Sequence, residues 1–218
     1  MVRIVKIAGV RKGIADRLAY SLRTSIPVTL MTTFQADNIM SAYHSMKTAS
    51  GQGAPSITSI MVQICAQTLR RHDYFNAVIE GDEVRIMDEV NIAVAVDTPR
   101  GLFAPVIRNA DKLKLGEIEA MLRSLSERAV SGSITYGDLT GHTFTISNLG
   151  HEGVIYFTPV INPPAISILG VGAMQKSGQG MVGHLSLVFD HRAVDGAPAA
   201  SFLADVRKAA ESFTSPAE

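Results

Sequence analysis

One stretch of this sequence is apolar at almost every position, and it restricts the folds that the chain can adopt. Val90, Ile92, Val94 and Val96 occupy alternate positions. Positions 93 and 95, which lie between the last three of them, are both alanines. A strand directs successive side chains to opposite faces of its sheet, so a half-exposed strand alternates apolar with polar residues. Because both faces are apolar here, we predict a strand that is buried on both sides.

Helical and strand patterns are interspersed along the rest of the chain. Apolar residues at helical spacing predict five helices, near residues 10–22, 39–46, 57–69, 115–129 and 199–210. Asp37 and Ser56 are predicted N-caps of the second and third helices, and Pro198 suits the first turn of the fifth. Further strands are predicted at residues 28–34, 103–107, 143–147, 166–171 and 184–189, and hairpin turns at 81–82 and 178–180. Residues 48–55 are small and polar, which predicts a loop within one domain. We expect an α/β (α+β) fold, a mixed β-sheet with packed helices.

Composition and charge exclude several classes of protein. Of the 218 residues, 46% are hydrophobic and 18% are charged, as is typical of a packed globular chain. Twenty basic residues balance 20 acidic ones, so we expect no nucleic acid or anionic membrane as a partner bound by bulk charge. The single cysteine, Cys65, excludes an intrachain disulfide framework and fits a reducing compartment. Without an apolar run of ~20 residues or a signal-peptide core, a cytoplasmic location is predicted.

The last predicted strand continues into a polar loop that carries a histidine between two aspartates. The loop precedes a predicted helix and reads Asp190-His191-Arg192-Ala193-Val194-Asp195-Gly196. Histidine has an ordinary pKa of ~6.5, which suits proton transfer near neutrality. Loops between a strand and a helix often carry reactive groups. These residues alone leave two readings open for His191, a general base or the more frequent structural histidine.

A second strand-prone segment ends in a hydroxyl. Residues 143–147 lead into Ser147-Asn148 and then Leu149-Gly150. A hydroxyl at the end of a strand is able to donate a hydrogen bond into a cleft, but a Ser-Asn pair also forms turns. The sequence has no phosphate-loop Lys-Ser/Thr, no Cys-x-x-Cys, no histidine pair at helical zinc spacing and no Gly-x-Ser-x-Gly. We therefore predict no metal site and no serine hydrolase.

Taken together, these segments resemble the catalytic domain of the dihydrolipoamide acyltransferases. These are the core (E2) enzymes of 2-oxo acid dehydrogenase complexes and belong to the chloramphenicol acetyltransferase-like superfamily. Residues 190–196 resemble the family signature Asp-His-Arg-x-x-Asp-Gly. Further matching segments are residues 143–150, 157–164 with 168–172, 96–102 with 105–107, and 11–12 with 26–27. The likeness runs in order from about residue 5 to residue 211.

The resemblance implies transfer of an acyl group between dihydrolipoamide and coenzyme A. A thiol has an ordinary pKa of ~8.5, so coenzyme A needs a base in order to attack well. The resemblance implies that His191 is this base, that Ser147 donates a hydrogen bond to the oxyanion, and that Asp195 braces the loop by pairing with an arginine, for which Arg11 is our prediction. It also implies coenzyme A contacts from four residues: Asn148, Leu149, Arg192 and Gly196.

The resemblance further implies an assembly. We expect a homotrimer in which the histidine of one subunit faces the serine of the next across a channel. Coenzyme A enters the channel at one end and the lipoyl arm at the other. Residues 1–218 are predicted to be the catalytic domain alone, so the lipoyl domain comes from elsewhere, and the E1 and E3 components would bind through domains outside this sequence. If the source is eukaryotic, the resemblance implies the mitochondrial matrix instead of the cytoplasm.

Three points remain open from the sequence. Leu149-Gly150 follows Ser147-Asn148 where succinyl-transferring members have two glycines, which favours acetyl or another small neutral acyl group. Phe213 is the only large apolar residue near the C-terminus, and Glu218 is costly to bury, which favours a trimer over a higher cage. The alternative functions are a non-catalytic assembly scaffold and a stand-alone acyltransferase that acts on a small-molecule acceptor.

Overall fold

The structure, a computed structural model, describes residues 1–215. The five helices of this part of the chain are α1 (Gly9–Thr24), α2 (Asp37–Ser50), α3 (Ile57–Leu69), α4 (Leu115–Ser131) and α5 (Gly196–Glu211). The strands in the same residues are β1 (Pro27–Gln35), β2 (Ala77–Glu80), β3 (Glu83–Ile86), β4 (Ile92–Val94), β5 (Val106–Ile107), β6 (Phe144–Asn148), β7 (Ser167–Val171), β8 (Gln175–Ser177) and β9 (Gly180–Asp190). The expectations on residues 216–218, including the one on Glu218, lie outside the described residues.

A seven-stranded mixed sheet forms the centre of the molecule. Its strand order is β1-β9-β7-β6-β4-β5, and β8 pairs with one end of β9. The pairs β4–β6 and β6–β7 are parallel, whereas β1, β5, β7 and β8 each pair antiparallel with a neighbour. A separate hairpin is formed by β2 and β3. The predicted mixed sheet with packed helices is therefore confirmed.

The apolar patterns produce the predicted core. All three residues of β4 are buried, which confirms a strand covered on both faces. Helix α3 begins after Ser56, whose hydroxyl accepts a hydrogen bond from the Ser59 N–H at 3.2 Å, as an N-cap does. Helix α5 packs on the sheet through its buried stripe: Ala199, Phe202, Leu203, Val206 and Ala210. These elements enclose one main core.

Three local predictions were wrong. Helix α2 begins at Asp37 with Ala36 in the cap position, because the Asp37 carboxylate instead accepts a hydrogen bond from the Met181 N–H at 3.0 Å. Helix α2 also continues to Ser50 and ends in a 3₁₀ turn at Gly51–Gly53, so most of the predicted loop is helical. The strand predicted at 103–107 is reduced to β5, because Pro105 has no N–H to donate to a ladder.

The predicted first helix forms, but its apolar stripe is not covered. The exposed fraction is 44% for Val10 and 57% for Leu22, and the preceding residues Val2, Ile4 and Val5 are more exposed still. Contiguous apolar surface of this kind is typical of a protein–protein interface. No helix within residues 1–215 is both long and apolar enough to cross a bilayer.

Candidate active site

The two residues expected to carry the chemistry lie at opposite ends of the central sheet. Ser147, near the end of β6, is level with Gly170 of β7. His191 follows β9, where the Asp190 N–H donates to the Ile166 carbonyl at 2.9 Å. Four residues of β7 separate these levels, about 13 Å at ~3.3 Å per residue, and the two side chains also lie two strands apart. The serine and the histidine of one subunit are therefore too far apart to act on the same bond.

Ser147 opens into a cavity of about 460 Å³. Phe144 and Ile146 point into the main core, so the alternation of β6 turns Thr145 and Ser147 to the cavity. Within residues 1–215 the Ser147 hydroxyl makes no hydrogen bond, which leaves it available to a ligand. The walls are mostly apolar and include Ile14, Leu102, Phe103, Phe157 and Pro159. Such a cavity suits a hydrocarbon-rich substrate with one polar reacting group.

The turn after Ser147 is held by the side chain of Asn148. Its Nδ2 donates to Thr58 Oγ1 at 3.0 Å, and its Oδ1 accepts from the Gly150 N–H at 2.9 Å. The Leu149 N–H donates to the Val171 carbonyl at 3.1 Å. A side chain on Gly150 would meet the Gly172 carbonyl oxygen at 2.6 Å, so the turn lies tightly against β7. Asn148 and Leu149 therefore hold the turn that presents Ser147, and Thr58 is a partner that the sequence did not indicate.

His191 lies at the surface of the subunit. Its N–H donates to the Ile26 carbonyl at 2.8 Å, which fixes the backbone, while its side chain is 42% exposed. The nearest carboxylate oxygen, Asp195 Oδ1, is 3.8 Å from Nδ1, beyond hydrogen-bond distance. Asp195 occupies the N-cap position of α5 with a side chain that is 86% exposed, and Gly196 begins that helix. The imidazole therefore faces outward.

A buried carboxylate, Asp190, braces the histidine loop. It accepts hydrogen bonds from the Arg192 side chain, with Nη2 at 2.6 Å, and from the N–H groups of Ile26 and Arg192, both at 3.1 Å. Burial alone would raise the pKa of Asp190, but these donors outweigh it and hold the pKa below its ordinary value. Sequence reasoning missed this role, although a carboxylate that ends an apolar strand and precedes Arg192 by two residues is a usable signal.

The pairing predicted for Asp195 does not form within one chain. Among residues 1–215 the one side chain paired with the Asp195 carboxylate is the His191 imidazole, at 3.8 Å, and Arg11 makes no ion pair with it. Arg192, expected to contact coenzyme A, is bound to Asp190. No group of three or more histidine, cysteine, aspartate or glutamate side chains in the described part of the chain is arranged to hold a metal ion.

Comparison with known proteins defines the class to which this fold belongs. The chain superposes on chloramphenicol acetyltransferase with a TM-score of 0.60 at 14% identity, over 95% of this chain and 99% of that one. The shared fold confirms the predicted chloramphenicol acetyltransferase-like architecture. The chain also superposes on a crystal structure of Azotobacter vinelandii dihydrolipoamide acetyltransferase, with a TM-score of 0.91 at 29% identity, over 97% of this chain and 92% of that one. That structure was determined to investigate the role of a serine, a histidine and an asparagine in the catalytic mechanism of that enzyme.

The sequence comparisons identify the family. Residues 2–217 match the family described as 2-oxoacid dehydrogenases acyltransferase (catalytic domain), and the chain belongs to this family. The succinyltransferase component of the 2-oxoglutarate dehydrogenase complex of Haemophilus influenzae is 34% identical over 224 residues, which cover 96% of this chain and 54% of that protein. The chain thus spans about half the length of the curated relatives it matches.

Proposed function

We propose that this domain transfers an acyl group between a dihydrolipoyl group and coenzyme A, in an active site that neighbouring subunits build together. The observation that carries the proposal is the separation of Ser147 from His191 across the sheet. Each lies where a ligand can reach it, Ser147 in an open cavity and His191 at the surface. A second subunit is needed to supply the missing half of each site, as in other oligomers with shared sites.

The reaction needs one base and one hydrogen-bond donor. The imidazole of His191 accepts the proton of the coenzyme A thiol, and the sulfur attacks the carbonyl carbon of the acylated dihydrolipoyl group. A new C–S bond forms, and the carbonyl π electrons move to the oxygen, which accepts a hydrogen bond from Ser147 of the neighbouring subunit. Collapse breaks the old C–S bond. The departing thiolate then takes the proton back from the imidazolium, so the enzyme ends unchanged.

The aspartates take different parts in this proposal. Asp190 holds the loop through Arg192 and Ile26, while the exposed Asp195 carboxylate stabilises the imidazolium at 3.8 Å. The Azotobacter structure supports a catalytic part for this position, because its asparagine follows its histidine by four residues, as Asp195 follows His191. The coenzyme A contacts of Asn148, Leu149, Arg192 and Gly196 are part of the proposal.

Assembly is part of the same proposal. The uncovered apolar residues of α1 and of the segment before it would be buried in a homotrimer. Membership of a family named for 2-oxo acid dehydrogenases supports a lipoyl domain as a partner in this proposal. We propose that the lipoyl group reaches this catalytic domain from another domain or chain, and that the E1 and E3 components also bind elsewhere.

Mixed assemblies test whether the site is shared. His191→Ala and Ser147→Ala chains, each purified alone, are expected to be almost inactive in acyl exchange between acetyl-CoA and dihydrolipoamide. Co-expressed, they would form some interfaces with an intact serine on one side and an intact histidine on the other. Random mixing restores about one quarter of the wild-type sites in a cyclic trimer. No recovery from verified mixed trimers would reject a shared site.

The same assay separates the alternatives and the acyl groups. A scaffold would show no exchange with wild-type protein, and an enzyme for another acceptor would consume acetyl-CoA only when that acceptor replaces dihydrolipoamide. The choice of acetyl over succinyl stays a prediction, tested by comparing acetyl-CoA with succinyl-CoA at equal concentration.

A further inference from the structure

The cavity beside Ser147 contains a second hydroxyl that the protein itself does not use. Thr145 precedes Ser147 by two residues on β6, and both line the same cavity. Thr145 is only 2% exposed, yet its Oγ1 has no hydrogen-bond partner within residues 1–215. A polar atom that is withdrawn from water and left without a partner points to a ligand that completes it.

Other buried threonines of the chain show what is usual. The hydroxyl of Thr68 donates to the Ile64 carbonyl at 2.8 Å, and that of Thr98 donates to the Gly101 carbonyl at 2.7 Å. Thr145 Oγ1 makes no such bond within residues 1–215. The threonine whose hydroxyl lacks a partner among these residues is thus one that lies on the cavity wall.

Two other polar side chains that line the cavity, Arg17 and Asn162, are hydrogen-bonded within the protein. Arg17 Nε donates to Asn162 Oδ1 at 2.8 Å, and Arg17 Nη2 donates to the Pro163 carbonyl at 2.5 Å. The hydroxyls of Thr145 and Ser147 are tied to nothing in the described chain. A ligand in this apolar cavity therefore meets two free hydroxyls on one strand.

We infer that Thr145 binds the second thiol of the dihydrolipoyl arm while Ser147 holds the oxygen of the thioester, an inference that rests on the proposed function. Residues two apart on a strand lie ~6.6 Å apart, so the two hydroxyls contact groups a few bonds from each other. The dihydrolipoyl group carries its thiols on carbons separated by one methylene, and its remaining chain is hydrocarbon that suits the apolar walls. A threonine hydroxyl is able to donate to sulfur and to accept from S–H.

A pair of acceptors isolates this contact. Dihydrolipoamide carries both thiols, and 8-mercaptooctanamide keeps the reacting thiol but lacks the second one. Thr145→Val retains the shape of the side chain without its hydroxyl. We expect kcat/KM for dihydrolipoamide to fall about fivefold, the loss of one ordinary hydrogen bond, and kcat/KM for the monothiol to change less than twofold. Thr145→Ser should restore the preference for the dithiol.

A matched control removes another unpartnered buried hydroxyl. Ser167 lies on the neighbouring strand β7 and is fully buried. Its Oγ has no hydrogen-bond partner in the described part of the chain, but Ser167 does not line the cavity. Ser167→Ala should leave the ratio of the two kcat/KM values unchanged, and neither variant should melt below the wild type.

The possible results have distinct meanings. An equal loss with both acceptors, or no loss with either, in a Thr145→Val protein whose wild type is active would overturn the role of Thr145 alone. A wild-type protein that acylates neither acceptor would overturn the proposed function, and this inference with it.

Discussion

The serine end and the histidine end of the sheet are built in opposite ways. At the serine end the backbone turn is fixed by Asn148, and the hydroxyl opens into an apolar cavity and makes no hydrogen bond within residues 1–215. At the histidine end the fixed group is the buried carboxylate of Asp190, and the imidazole lies outside at the surface. In the proposed function, the first end encloses an acyl group and the second presents a base.

This difference teaches how a site can be divided. A hydrogen-bond donor acts most strongly where water is excluded, so it belongs in an enclosed cavity. A base that must meet a donor on another subunit has to reach the edge of its own subunit, and it needs a loop that does not move. The brace of Asp190 supplies that rigidity, while its charge is already neutralised by Arg192 and competes little for the imidazole.

Removal of the base tests the histidine end most directly. His191→Ala should lower kcat for acyl exchange by ~100-fold to 10,000-fold, because the coenzyme A thiol loses its general base. Size-exclusion chromatography should show the same assembly as the wild type. His44→Ala, which removes an exposed histidine of α2, is the matched control and should leave kcat unchanged. If His191→Ala retained activity, His191 would not be the general base.

Removal of the oxyanion donor tests the serine end. Ser147→Ala should lower kcat by ~100-fold to 1,000-fold with little change in the apparent KM for coenzyme A, because the donor acts on the transition state. Ser147→Thr keeps a hydroxyl and should recover part of the loss. A change confined to KM would mean that Ser147 only binds substrate.

The brace predicts a pH dependence of stability. Because the folded-state pKa of Asp190 is lowered, its ionised form stabilises the fold fully above the ordinary carboxyl pKa of ~4, and this contribution is lost as pH falls through the lower, folded-state value. Asp190→Asn should therefore cost about 1–3 kcal/mol at pH 7, and the difference from wild type should shrink at acid pH.

Urea unfolding at pH 7 and at successively lower pH, at one fixed protein concentration, measures that difference. Asp16→Asn is the control, since its pair with Lys12 is exposed and contributes little. A difference between Asp190→Asn and the wild type that stays constant with pH would show that the carboxylate charge does not stabilise the loop.

The smallest effect on kcat is expected from Thr58, which supports the turn after Ser147. Thr58→Val removes the acceptor of Asn148 Nδ2, which loosens the turn without touching substrate. We expect kcat to fall about fivefold, equivalent to one hydrogen bond, with KM values unchanged. Thr58→Ser keeps the acceptor and should behave as the wild type. Equal kinetics in both variants would mean that the turn needs no support from α3.

Much of the fold could be predicted from local pattern. The doubly apolar strand at β4, the capped helix α3 and the hairpin turns follow from residues that are neighbours in the sequence. The outcome for α1 could not be read in the same way. Its apolar stripe satisfies helical periodicity, but whether that stripe meets this chain or another one depends on how elements far apart in sequence are arranged.

The candidate residues show the same division. His191 and Ser147 could be singled out from the sequence, because their motifs resemble those of a known family. The hydrogen bond from Asn148 to Thr58 spans 90 positions and left no local signal. Within residues 1–215, Arg11, expected beside Asp195, makes no ion pair with it. Arg192, expected to contact coenzyme A, is instead bound to Asp190, because the carboxylate that β9 buries needs donors more than an exposed one does.

The sequence by itself determined most of the strands and helices, and it determined which side chains carry a proton or a hydroxyl, since these depend on residue type and on spacing within one element. Only the tertiary structure decided that β7 lies between β6 and β9 and runs antiparallel to β9. That order places Ser147 and His191 at opposite ends of one sheet. The pairing of strands is set by long-range packing of the whole core, and no single segment contains that information.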